Sequence, residues 1–321
     1  MSLLAIDLGG TKLASALFSP AGDLLLRESV PTAGQSGRKV GALIAERASA
    51  LRSRADAGGD AVTAIGVAVP GIYRAASGTV WAPNIADWDD YPLLEELTAG
   101  VGQNLPVRID SDRAASVLGE SWRGAAAGSR NAIFVAVGTG IGVGLLVDGN
   151  VLHGHGDIAG AIGWLAVRQP YRPEYEACGC LEHHAAGPGL VKVARAKLAA
   201  DPRYVGPLRG GTDDPSTPTA AQLFSLYDTG DPIATAVVDD AVSLWGMMTA
   251  NLVSLFNPEI IVFGGGIFGP ATRFLDRIRE EATRWAQPIS MGQVTLTSST
   301  LGGDAGLYGA AQLAWRVARG A

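Results

Sequence analysis

The sequence predicts an α/β protein with an internally duplicated core. Three observations carry that expectation. Apolar strand-like runs alternate with segments of helical period, one supersecondary pattern occurs twice, and 321 residues is about twice the usual single-domain length. With 47% hydrophobic and only 17% charged residues, the composition suits a large buried core.

The repeated pattern is seen by setting "LLAIDLGGTKLASALFSPAGDLL" (Leu3 to Leu25) beside "IFVAVGTGIGVGLLVDGNVLH" (Ile133 to His153). Each is an apolar run, a Gly/Thr turn, a second apolar run, a Gly-containing turn and a third short run, the pattern of a three-strand meander. Two copies about 130 residues apart imply a duplicated core with a cleft between the copies. After the first copy, Val40, Leu43, Ile44 and Leu51 recur at helical spacing, predicting a helix near 38–55. "AIGVAVPGI" (Ala64 to Ile72) predicts a buried strand closed by Pro70-Gly71, and Val107 to Ile109 a strand that enters a helix at about Arg113. After the second copy come a long helix broken at Asn257-Pro258, a strand with a glycine turn, and a final amphipathic helix, "GLYGAAQLAWRVA".

The net charge of −6 argues against nucleic-acid or membrane-surface binding, which depend on a basic face. No run approaches the roughly 18 apolar residues of a membrane span. The start "MSLLAIDLGG" lacks the basic region and cleavage site of a signal peptide. Cys178 and Cys180 are too few and too close for a disulfide framework, so the expected setting is the cytoplasm.

Four glycine turns sit at the ends of apolar runs, where backbone N–H groups converge on an anion unhindered. They are Gly9-Gly10-Thr11, Gly138-Thr139-Gly140, "GGGIFG" from Gly264 to Gly269, and "LGGDAGLYGA" before the last helix. An acidic protein holding a polyanion would use such dipoles together with Mg²⁺, for whose water shell Asp7 is positioned. Lys12 reads equally as an added charge or as a solvated hairpin residue. Asp112, at the end of a strand, is the candidate general base; spacing alone fits equally a helix cap supplied by Asp110, Ser111 or Asp112.

These motifs, in this order, resemble the ROK family (repressors, uncharacterised frames and sugar kinases) of the actin/hexokinase-like, ribonuclease H-like ATPases. "AIDLGGTK" is similar to the family's first phosphate motif, "GTGIGVG" to its second, and "NPEIIVFGGGI", with Gly265 and Gly266, to its adenosine-side motif. "SDRAASVLGE" resembles the segment carrying the catalytic aspartate, with Ser111 in place of the usual asparagine. The resemblance implies a two-lobed fold, ATP and Mg²⁺ as cofactors, and transfer of the γ-phosphoryl group to a sugar hydroxyl with Asp112 as base. The small lobe is expected over 1–112, completed by a terminal helix at about 303–321, with 113–302 as the large lobe. Glu182 matches a sugar-binding glutamate, and Gly71, Asn84 and Ser111 fall in substrate-side segments. A homodimer is implied.

Two departures stand out. The family's Glu-Ile-Gly-His segment reads Ala161-Ile162-Gly163-Trp164 here, and of four zinc ligands only Cys180 survives, Pro173 and Tyr175 standing at earlier cysteine positions. The usual tetrahedral zinc site is therefore not expected. His153, His155, His183 and His184 lie with both cysteines in one short segment, which leaves a rewired metal site open. Losing the glutamate and histidine removes hydrogen-bond partners for a sugar hydroxyl and adds an apolar plate. The expected acceptor is a substituted or deoxy sugar or a carbocyclic, cyclitol-type polyol, with glucose and N-acetylmannosamine disfavoured. Three other classes compete. A non-catalytic sugar- or nucleotide-binding descendant would have no need of Asp112. A repressor would carry a DNA-binding domain before Leu3. A dinucleotide oxidoreductase would place its glycine fingerprint in an opening βαβ unit.

Overall fold

The computed structural model describes residues 1–32, 36–209 and 218–320. The first meander comprises β1 (Ser2–Leu8), β2 (Lys12–Phe18) and β3 (Leu24–Pro31). Helix α1 (Arg38–Ala57), β4 (Val62–Val69), β5 (Ile72–Arg74), β6 (Thr79–Trp81), α2 (Leu93–Val101), β7 (Val107–Ser111) and α3 (Asp112–Arg123) follow. The second meander is β8 (Ala132–Val137), β9 (Ile141–Val147) and β10 (Asn150–Val151). After it come α4 (Cys180–Ala185), α5 (Gly187–Ala200), α6 (Ala220–Asp228) and α7 (Pro232–Phe256). The chain ends with β11 (Ile260–Gly264), α8 (Leu275–Trp285), α9 (Pro288–Gln293), β12 (Thr295–Ser298) and α10 (Ala305–Ala318).

The duplication expected from the sequence is present in the strand order. One five-stranded sheet runs β3-β2-β1-β4-β7 and the other β10-β9-β8-β11-β12, so each meander is extended on the same side by two later strands. The added strands are parallel: β4 to β1, β7 to β4, and β12 to β11. The long helix α7 stops where foreseen, with Asn257 in the left-handed conformation at its C-cap, φ 44°.

The chain separates into two compact units: Met1–Ala132, Gly144–Ala159 and Ser299–Ala321 in the first, Ile133–Val143 and Gly160–Ser298 in the second. Residue 112, the expected lobe boundary, is where α3 begins, yet the first unit continues through α3 because that helix packs on α10.

Strand parity organises the first unit. Leu4, Ile6 and Leu8 of β1 point into a core shared with Val40, Ile44 and Leu51 of α1 and with Leu93 and Leu97 of α2. Leu3 and Ala5 point the other way, into a core with Leu307, Ala310, Ala311 and Ala314 of α10. That second face is built from small residues so that α10 can lie close. A Cβ on Gly66 of β4 would stand 1.8 Å from the Ala310 carbonyl oxygen, and one on Gly309 1.7 Å from that of Ala115 in α3. With the sheet on one side and α3 on the other, α10 is buried round most of its circumference instead of being amphipathic as its sequence suggested.

Candidate functional site

The parity that sends Leu3 and Ala5 toward α10 also sends Asp7 there, at the end of β1. Its carboxyl lodges against the first turn of α10: a Cβ on Gly306 would lie 2.8 Å from Asp7 Oδ2. Burial pushes the Asp7 carboxyl up to about 7; the charges of Asp112 and Asp304 add to the rise and Lys12 opposes it. Asp304 is itself paired with Arg27 at 2.7 Å. The β1–β2 hairpin closes with Gly9 N–H donating to Lys12 O at 2.9 Å. Gly10, Thr11 and Lys12 are exposed at its tip, where a Cβ added to Gly10 would meet nothing within 4 Å.

The segment Asp110-Ser111-Asp112 divides three tasks among three neighbours. Ser111 is the N-cap of α3, its Oγ accepting from Ala114 N–H at 3.2 Å. Asp110 is buried at 4% exposure; its Oδ1 accepts from Ser111 N–H and its Oδ2 meets His153 Nε2, both at 2.8 Å. Asp112 therefore does not supply the cap. It keeps part of its surface open while Oδ1 accepts from Arg113 N–H at 2.8 Å. Desolvation raises its pKa above the ordinary carboxylate value, against the Arg113 charge and that backbone hydrogen bond. Gly71 turns the chain between β4 and β5 at φ +89°, where a Cβ would sit 2.1 Å from Trp81 O, and Asn84 is exposed on the loop after β6.

In the second unit the Gly138–Gly140 turn is tightened by Gly138 N–H donating to Gly140 O, and Gly187 N–H, opening α5, donates back to Gly138 O, each at 2.9 Å. Thr139 is exposed at its tip. Gly265 and Gly266 stand beside this turn: a Cβ on Gly265, φ +85°, would lie 2.4 Å from Val137 O, and one on Gly138 3.9 Å from Gly266 N. Glu182 of α4 accepts from Ile141 N–H at 2.7 Å, next to the same turn. Burial raises its pKa, while that amide and Lys192 pull it down. A side chain at Gly140 or Gly163 would push the Glu182 carboxylate out of place, since each Cβ would stand 2.9 Å from Glu182 Oε2. The 3-10 turn Ile162–Trp164 follows Ala161 and leaves Trp164 58% exposed.

The sequence segment rich in histidine and cysteine falls into separate places. His153 pairs with Asp110, and His155 is exposed. His184 Nε2 meets the Tyr175 hydroxyl at 2.9 Å, and the Tyr175 ring packs edge-on against His183, His184 and Tyr171. Cys178 and Cys180 are free thiols. Among the described residues no group of three or more His, Cys, Asp or Glu stands where it could hold a metal ion. No helix among them is long and apolar enough to cross a membrane.

Sequence reading named four glycine turns, the last of them containing Asp304 and Gly306, but did not foresee that Gly306 lies under Asp7 or that Asp110 pairs with His153. For Asp110 a signal existed. The period of two along β7 puts Arg108 and Asp110 on the face opposite the buried Ile109.

The model of the ROK family matches residues 3–317. The glucokinase of Halalkalibacterium halodurans is 32% identical, the match covering 95% of this chain and 92% of that protein. The crystal structure of a ROK hexokinase from Thermus thermophilus has a TM-score of 0.79 at 31% identity, with 100% of each chain covered. A ROK family glucokinase from Streptomyces griseus, solved with glucose and AMPPNP, gives 0.74 at 29% identity over 98% of this chain and 99% of that one. The repeated sheet order and these likenesses identify the fold as that of the actin/hexokinase-like ATPases. The chain belongs to the ROK family.

Proposed function

We propose that the chain is an ATP-dependent kinase that transfers the γ-phosphoryl group to a hydroxyl of a sugar or sugar-like polyol. The observation that carries this reading is Asp112: a desolvated carboxylate of raised pKa, at the first position of a helix whose cap is already supplied by Ser111. A carboxylate so placed is suited to take the proton of an attacking alcohol. The relatives named as glucokinases, one of them solved with an ATP analogue, support the nucleotide and the sugar class.

In this reading the main-chain amides of Gly9–Lys12 and of Gly138–Gly140 cradle phosphates, with Thr11 and Thr139 at the tips, and Gly265 and Gly266 lie on the adenosine side. Asp7 fits Mg²⁺. It is a half-buried carboxylate whose pKa is raised by desolvation first and by the negative Asp112 and Asp304 after it, and Mg²⁺ is usually held by one or two carboxylates together with water and substrate phosphates. When bound, the ion neutralises phosphate charge and sharpens the electrophile. Glu182 orders the second turn through Ile141 N–H and keeps its other oxygen for the acceptor, with Gly71 and Asn84 on the substrate side. The same reading has the enzyme acting in the cytoplasm, where its two thiols stay reduced, and as a homodimer, which light scattering would read.

For the acceptor, the Ala161 side chain offers no hydrogen bond, and Trp164, which presents an exposed indole, directly follows Gly163, the residue packed against Glu182. A sugar hydroxyl is poorly rewarded there, so we assign a substituted, deoxy or carbocyclic acceptor. ADP release measured over a panel of acceptors tests the assignment; glucose as the best acceptor would refute it. Asp112→Asn should lower kcat by about 100- to 10,000-fold and leave ATP affinity within a few-fold. Near wild-type turnover in that variant would remove Asp112 as the base.

A further inference from the structure

A cavity of about 350 Å³ opens in the first unit, on the α10 side of β7 and toward the far end of that helix from Asp7. Its polar lining is Arg108 and Asp110 of β7, Asn150 of β10, His153, and Arg316 in the last turn of α10. Leu118 and Leu313 supply an apolar wall.

The charges in this cavity do not balance. Asp110 is its one carboxylate, and both of its oxygens are engaged, by Ser111 N–H and by His153. The Arg316 guanidinium is half-buried and donates to Gly149 O at 3.1 Å. Its pKa is pushed below the ordinary arginine value by desolvation alone, so no carboxylate compensates its burial. Among the described residues neither Arg108 nor Arg316 forms an ion pair. The whole chain carries 31 acidic residues against 25 basic ones, so two arginines left without a carboxylate around one cavity are not explained by a general excess of positive charge. A half-buried cation without a counter-ion is costly, and an anionic ligand would remove the cost.

We propose that this cavity binds a phosphate dianion, free or carried by a small organic monoester, between Arg108, Arg316 and His153. Arginine forks match phosphate oxygens bidentately, and Asn150 can donate to a further oxygen. Leu118 and Leu313 would accept the carbon body of a monoester, which the volume accommodates. The site is separate from the one proposed for phosphoryl transfer, since Arg108, Arg316 and His153 have no part there. It meets that site through β7, where Asp110 is followed by the capping Ser111 and then by Asp112, and through α3 and α10, which line the cavity with Leu118, Leu313 and Arg316 and carry Asp112 and Gly306 in their first turns. An occupant drawing on His153 thus acts on the strand that presents the base.

Calorimetric titration of the full chain tests this, with glucose 6-phosphate, inorganic phosphate and unphosphorylated glucose as probes in separate arms. The phosphorylated probes should bind, and Arg108→Ala and Arg316→Gln should each weaken that binding about tenfold or more while MgATP binding stays unchanged. Arg108 is exposed, so its variant keeps the test valid even where replacing half-buried Arg316 disturbs folding. Equal affinities for the two phosphorylated probes identify free phosphate as the ligand; tighter glucose 6-phosphate identifies a monoester. Affinities unchanged in both variants, or no binding of either phosphorylated probe to the wild type, would overturn the proposal. Because MgATP is titrated into the same samples, loss of the kinase reading and loss of this site are read apart.

Discussion

Asp110 and Asp112 are two residues apart on the same chain segment, and their surroundings set them to different work. Strand parity turns Asp110 inward toward His153, whereas Asp112 stands beyond the strand end, its carboxylate accepting from backbone amides and not from a histidine. The Asp110 hydrogen bond is the main reason the His153 pKa lies above its ordinary value, against a desolvation that would lower it; the charges of Asp110 and Asp157 add to the rise and Arg108 opposes it. A histidine whose folded pKa exceeds its unfolded value binds its proton more tightly when folded. The ionic part of the pair therefore stabilises the protein fully below about pH 6.5 and is lost as pH rises through the raised folded value. His153→Ala should cost about 1–2 kcal/mol at pH 6, toward the low end because a third of the side chain is exposed and screened. The deficit should shrink by pH 9 without vanishing, since neutral imidazole still donates to Asp110. Urea unfolding of wild type and variant at the two pH values measures this; a deficit that grows with pH would contradict the pairing.

At the scale of elements, the segment from the 3-10 turn Pro173–Ala177 into α4 is held by rings. Tyr175 stands where the resemblance puts a zinc-binding cysteine; it is buried, bonded to His184 and packed edge-on against two imidazoles and Tyr171. Burial drives the His184 pKa down to about 4, with Arg168 and His183 adding to the fall, so His184 is neutral in the fold. The sign is opposite to that of His153. Between about pH 4 and 6.5 the unfolded chain binds the extra proton, so stability should rise with pH across that window. Tyr175→Phe leaves the buried His184 Nε2 without its partner and should cost about 1–3 kcal/mol at pH 7. His184→Leu should flatten the slope between pH 4.5 and 6.5. A chelator should leave the thermal midpoint of the wild type unchanged, and a large drop on adding EDTA would show that a metal, not the ring cluster, holds this segment.

For the molecule as a whole, the features legible in the sequence were those written in short range. The glycine turns, the two meanders and the strand-to-helix step at Asp112 are each encoded within about two dozen residues or fewer, by period and by turn chemistry. Contacts across long separations were not legible. Asp7 meets Gly306, Asp110 meets His153, and Glu182 reaches Ile141, and no local pattern marks any of these pairs. The burial of α10 escaped for the same reason, because it depends on Gly66 in β4 and on Gly119 in α3, where a Cβ would stand 2.3 Å from Ala305 O, to clear its path. What both levels share is an acidic chain, net −6, for which the proposed function assigns phosphate binding to backbone amides of the hairpin turns instead of a basic patch. Such a chain should repel uncomplexed ATP and accept the magnesium complex. MgATP at about 100 times its Kd should stabilise the fold by about 2.7 kcal/mol. That corresponds to a rise in Tm of about 4 °C for a chain of 321 residues. Asp112→Asn should keep the rise, because the base serves the acceptor and not the nucleotide. ATP with excess EDTA should give little or none of it. Differential scanning calorimetry separates these cases: an equal shift with and without magnesium would remove Asp7 from its assigned task, and no shift with either would remove nucleotide binding from the function altogether.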